Sequence, residues 1–273
     1  MRTVFRSNAF LLIGLLFSSV TTAQPNWQQQ PTALPSNPTT FVQVGGLWGL
    51  VMTDTGTGFA AGYASVSNGF SGVLRKLPGN PTWFVLPASI FTLLPASHSL
   101  WSGISAVGTH VWICGSNGRL YRSTDNGNSW NAAMNGMTGT STLFDVFFKN
   151  QNEGMTVGNN GSIYYTSDGG ANWTAQALPA TVPTTTTLYV THSAGSNWYV
   201  AGANNTLMRG TPATSSTSWV DLTGNVPAIG DIEGLQFLDN LTGTISNAVT
   251  GGSPLYRTTD GGNSFTAIGS GLT

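Results

Sequence analysis

Short apolar runs bounded by glycine or asparagine recur along most of this chain. The clearest set opens with Leu143-Phe144-Asp145-Val146-Phe147-Phe148. Glu153-Gly154-Met155-Thr156-Val157-Gly158 follows, then Asn159-Asn160-Gly161, then Ser162-Ile163-Tyr164-Tyr165. Runs this short, rich in β-branched and aromatic residues and closed by turn formers, predict strands. Asn-Gly between two of them predicts a tight hairpin. A closing aromatic, Trp173, ends the set. One unit therefore predicts four antiparallel strands.

The unit recurs. Its closing aromatics are Trp83, Trp130, Trp173, Trp219 and Phe265, spaced 47, 43, 46 and 46 residues apart. A period of this size marks a repeat architecture in which each unit buries its faces only by stacking on its neighbours. Four strands per repeat at this period predict an all-β chain, a β-propeller of four-stranded antiparallel blades. Five repeats are visible, at about 41–85, 99–133, 142–178, 187–222 and 232–268. They make up a propeller region at 41–273, either a five-blade ring or part of a larger one.

Three repeats carry one turn sentence before the aromatic: Ser/Thr, any residue, Asp, any residue, Gly, two residues, aromatic. The copies are Ser123-x-Asp125-x-Gly127 to Trp130, Thr166-x-Asp168-x-Gly170 to Trp173, and Thr258-x-Asp260-x-Gly262 to Phe265. The same turn of different blades lies around a rim, so the three carboxylates do not converge on a catalytic or metal site. Each can instead accept backbone N–H groups just after it, while the glycine takes positive φ without steric cost. The reading is a structural staple. The first and fourth repeats have lost the Asp and kept the aromatic.

Charged residues are only 7% of the chain, with 35 Gly and 13 Pro, a turn-rich composition that suits a secreted all-β protein. Arg2 and Arg6, the apolar run Ala9–Phe17 and the small residues ending at Ala23 predict a signal peptide over 1–23. Residues 24–40 read as a Pro/Gln-rich segment in which Asn26–Gln30, with Trp27, is either a ring-closing strand or a linker. The expected location is extracellular or cell-surface, or periplasmic, with no membrane span after cleavage. Nine basic residues less Arg2 and Arg6 leave seven against ten acidic, a net charge near −3. No basic run is present, and nucleic-acid binding needs one. Cys114 is the single cysteine, so no internal disulfide forms, and its apolar strand predicts a buried thiol.

The turn sentence is the Asp box, or BNR repeat. The stretch Gly158–Trp173 resembles most the photosystem II stability/assembly factor-type repeat family, and more distantly the sialidase and sortilin-type propellers. The resemblance implies the propeller fold over roughly 41–268. These folds host unrelated activities, and the photosystem role is not carried over, because this chain has no clustered arginine patch.

Enzymatic signals are sparse. The arginine segment that resemblance to sialidases would require before the first Asp box is absent. Arg75, Arg119, Arg122, Arg209 and Arg257 fall near the same strand of their repeats, which suggests structural roles. His98, His110 and His192 have no short-spaced ligand partners, so no metal is expected, and no cofactor loop is evident. Asp231 and Glu233, just before the fifth repeat, are the best candidate acid pair. A binding loop is a further candidate, in the apolar connection with Phe84, Leu86, Ile90, Phe91 and Leu93. It either exposes a partner patch or folds inward as core. The sequence thus reads as a non-catalytic, monomeric propeller that binds or scaffolds a protein or glycan, with glycoside hydrolysis as the second reading.

Overall fold

The computed structural model describes residues 46–63, 70–91, 100–212, 218–247 and 255–268. The predicted signal peptide, Trp27 and its strand, Leu93 and His98 lie outside the described residues.

Twenty strands form five four-stranded antiparallel sheets, each paired in sequence order. Blade 1 holds β1 (Gly46–Met52), β2 (Gly58–Tyr63), β3 (Phe70–Lys76) and β4 (Phe84–Pro87). Blade 2 holds β5 (Trp101–Val107), β6 (His110–Gly115), β7 (Leu120–Ser123) and β8 (Asn131–Ala132). Blade 3 holds β9 (Leu143–Phe148), β10 (Gly154–Gly158), β11 (Ile163–Thr166) and β12 (Thr174–Ala175). Blade 4 holds β13 (Leu188–Ala194), β14 (Asn197–Gly202), β15 (Leu207–Thr211) and β16 (Ser218–Asp221). Blade 5 holds β17 (Ile232–Phe237), β18 (Gly243–Asn247), β19 (Leu255–Thr258) and β20 (Thr266–Ile268). The predicted repeats and their four-strand content match these blades.

The first strands converge: β1 packs on β5, β5 on β9, β9 on β13 and β13 on β17. The molecule therefore has two ends. The β1–β2-type hairpins and the Asp-box turns share one, and the second hairpins and the connections between blades share the other.

The core lies between blades. Four apolar clusters fill the four junctions, and each draws on two successive blades. Each closing aromatic sits in the junction with the preceding blade: Trp130 with Phe59 and Val73, Trp173 with Trp112 and Leu120. Ring stacking reinforces two junctions, with Trp112 over Phe148 at 3.6 Å and Tyr199 over Phe237 at 3.5 Å between centroids. Close stacked aromatics add about 0.5–1.5 kcal/mol beyond area burial.

The register shows which side chains face the next blade. Equivalent positions on the second strands are Phe59, Trp112, Met155, Tyr199 and Thr244. A second equivalent set is Ala61, Cys114, Val157, Ala201 and Ser246. Blades 1 to 4 are apolar and fully buried at both positions, whereas Thr244 and Ser246 of blade 5 are half-buried hydroxyls. Among the described residues β17 does not pack on β1 as the other neighbouring first strands pack on each other. The five described blades thus form an arc, with a polar face at the blade 5 end.

Candidate functional site

The Asp-box turns are closed hydrogen-bond units. In the second repeat, Ser123 Oγ donates to Asp125 Oδ1 (2.8 Å) and accepts the Gly127 N–H (2.8 Å). Asp125 Oδ1 accepts the N–H groups of Asn128 (3.0 Å) and Ser129 (2.9 Å), and Oδ2 accepts the Ser129 hydroxyl (2.6 Å). Asp168 accepts from Thr166, the Asn172 N–H and the Asn172 amide. Asp260 accepts from Thr258, the Ser264 N–H and the Ser264 hydroxyl. Hydrogen bonds from Ser264 and Thr258 hold the Asp260 carboxyl down at about 2. Gly127, Gly170 and Gly262 have φ of 81°, 90° and 93°. A Cβ on Gly127 would also stand 2.4 Å from the Phe59 ring. These carboxylates already have partners and are anchored in separate turns.

Arginines lock each turn to the blade before it. Arg75 donates to Asn128 Oδ1 (2.9 Å), Arg122 to the Gly169 carbonyl (3.0 Å) and Arg209 to the Gly261 carbonyl (2.8 Å). Arg257, at the same register position of blade 5, is exposed.

At the apolar connection, Leu86 and Phe91 are buried in the junction between blades 1 and 2. Phe91 stacks between Trp101 (5.7 Å) and Trp130 (5.1 Å). Phe84 and Ile90 are half-buried against the same cluster. These four side chains extend the core, and the inward alternative holds for them.

The opposite end presents a different set of side chains. Every first strand carries a β-bulge near its start, and a bulge re-aims the extra residue. The bulged positions are Trp48, Ser102, Phe144, Tyr189 and Glu233. Phe144 and Tyr189 meet edge to face at 5.4 Å across neighbouring blades. The Tyr189 hydroxyl donates to Asp231 Oδ2 (3.2 Å), and Asp231 Oδ1 accepts the Asn204 N–H (3.1 Å). Burial pushes the Tyr189 phenol up, and the charges of Asp231 and Glu233 push it further. Trp48 is 38% exposed. The acid pair is thus joined to a tyrosine and an aromatic arc that the sequence alone did not single out. A signal was present: each lies two residues into the first strand of its repeat.

A wide cleft of about 690 Å³ opens at the Asp-box end beside Asp54, Gln151 and Glu153. Glu153 there is tied to Lys149 (2.9 Å), Tyr165 (3.0 Å) and Asn150 (2.9 Å). Among the described residues no three His, Cys, Asp or Glu side chains cluster to hold a metal. Cys114 is buried in the junction between blades 2 and 3.

Residues 136–271, about half of the chain, match the family model described as Photosynthesis system II assembly factor YCF48. The chain is an Asp-box (BNR) repeat β-propeller. YCF48 from Cyanidioschyzon merolae matches this propeller at 18% identity and a TM-score of 0.50, covering 80% of this chain and 84% of that one. A structure described as YCF48 bound to D1 peptide matches at 16% identity and a TM-score of 0.49, covering 79% and 80%. The GH74 enzyme of Niastella koreensis matches at 18% identity and a TM-score of 0.56, covering 77% of this chain and 36% of the enzyme. This propeller thus spans about a third of that enzyme's length. No curated protein matches the chain. At these identities the structural likenesses establish the fold. Among the described residues no helix is long and apolar enough to cross a membrane.

Proposed function

We propose that this propeller is a non-catalytic binding or assembly module for a protein partner, and that it acts after export, outside the cytoplasm or in the periplasm. The observation that carries the reading is the bonding state of its repeated carboxylates: Asp125, Asp168 and Asp260 are each saturated within their own turns. The family whose model matches is described as an assembly factor, which supports the same reading. A glycan partner is the second form of the binding reading and rests on the polar, weakly charged surface.

Glycoside hydrolysis remains the competing chemistry because Asp231 and Glu233 both act on Tyr189. Their charges hold the phenol protonated, which opposes its use as a nucleophile. The deciding experiment pairs a chromogenic glycoside panel with peptide and glycan arrays. Saturable array binding without turnover supports the module. Turnover abolished by Glu233→Gln or Asp231→Asn overturns it.

A further inference from the structure

We propose that the end of the propeller opposite the Asp boxes is a docking surface for a basic peptide segment, one presenting lysine or arginine side chains. The proposal deepens the protein-binding reading above and rests on it.

The charges are divided unevenly between the two ends. Strand directions place six acidic and six basic side chains at the Asp-box end, where they cancel. The other end carries Asp145, Asp221, Asp231 and Glu233 against Arg119 alone. The net charge near −3 of the described residues therefore resides on one end. Asp145 is buried and accepts the Thr191 N–H (2.9 Å), and Asp221 accepts from Thr181 and Thr223. Asp231 is exposed and Glu233 half-buried, so these two carboxylates set the field that a partner meets.

Beside them stand the aromatic rings of the bulges. Phe144 and Tyr189 form one pair, and Trp48 lies at the equivalent place on β1. A cation over an aromatic face gains about 0.5–1 kcal/mol at an exposed site and more once desolvated. Carboxylates of one sign in a concave surface raise the local concentration of the opposite charge. Aromatic faces and uncancelled carboxylates together select an extended chain with spaced cationic side chains. The sign disfavours nucleic acid and anionic membrane surfaces.

The test uses the whole chain and a fluorescein-labelled heptapeptide, Gly-Ser-Lys-Arg-Lys-Ser-Gly, read by anisotropy at low and physiological salt. Its counterpart carries Glu-Asp-Glu in the centre. The expected result is saturable binding of the basic peptide only, weakened by salt. Glu233→Gln with Asp231→Asn should weaken it about tenfold, and Trp48→Ala about threefold. Asp54→Asn, which removes a charge from the other end, should leave it unchanged. Trp48→Phe keeps an aromatic ring and should restore most of the affinity, with thermal melts confirming that each variant is folded. Equal loss in Asp54→Asn and Glu233→Gln, or no binding of the basic peptide, overturns the proposal. Array binding of neutral or acidic peptides that ignores Glu233→Gln overturns it while leaving the binding module intact. Glycoside turnover overturns both.

Discussion

Asp168 and Trp173 share one turn and contribute in different ways. Asp168 closes the turn through hydrogen bonds from Thr166 and Asn172. Asp168→Ala leaves those donors partly unpaired at an exposed site and should cost about 1–2 kcal/mol, read from chemical denaturation. Trp173 is buried and donates from Nε1 to the Ala133 carbonyl (2.9 Å). Trp173→Ala opens a cavity between blades and should cost about 3–5 kcal/mol. Trp83→Ala should cost clearly less, because Trp83 is only half-buried. Equal losses at Trp83 and Trp173 would contradict the placement of closing aromatics in the junction with a preceding blade.

His192 supplies a pH signature at the same scale. Burial pushes its pKa down to about 4 from an ordinary value of 6.5. The unfolded chain then binds a proton that the folded chain refuses between those values, so stability is full above pH 6.5 and falls as pH drops toward 4. Burial and the Arg122 charge shift His110 in the same direction. The melting temperature should decline over that window, and His192→Gln should flatten the decline. An unchanged profile in His192→Gln would exclude the buried neutral ring as its source.

At the scale of elements, the arginine of one blade fastens the Asp-box turn of the next. Arg209→Ala removes a charge-assisted bond to the Gly261 carbonyl and should cost about 1–3 kcal/mol. Arg257→Ala should fall within about 0.5 kcal/mol of neutral, since its side chain is exposed. Comparable losses in the two would mean that register position alone, without a following turn, fixes the side chain. Sequence showed that these arginines repeat with the strand. What they hold became visible only when successive blades were placed side by side, because each bond spans 47 to 53 residues.

For the whole molecule, the four apolar junctions and the hydroxyl face of blade 5 define an arc of unequal stability. Repeats covered on both sides gain two interfaces, and a terminal one gains a single interface. Amide exchange should therefore be slower in β10 and β14 than in β18 and β19. Equal protection across the blades would show that blade 5 is covered in solution. The uneven distribution of charge belongs to this scale as well, since it exists only once strand directions sort the side chains between two ends.

Much of this was legible along the chain. The strand runs, the four-strand unit, the five repeats and the turn role of Asp125, Asp168 and Asp260 all follow from local periodicity and local hydrogen bonding, which need no distant partner. The apolar connection was not decided locally: the hydrophobicity of Leu86 and Phe91 suits a docking patch as well as a core, and only the proximity of Trp101 and Trp130 placed them inside. The bulges that join Phe144, Tyr189 and Asp231 depend on register, where a single added residue turns a side chain to a new direction. Sequence by itself determined the repeated blade, because its pattern is written within each unit. Tertiary structure alone decided which side chains meet across blades, because contacts more than 40 residues apart are set by stacking rather than by any local preference.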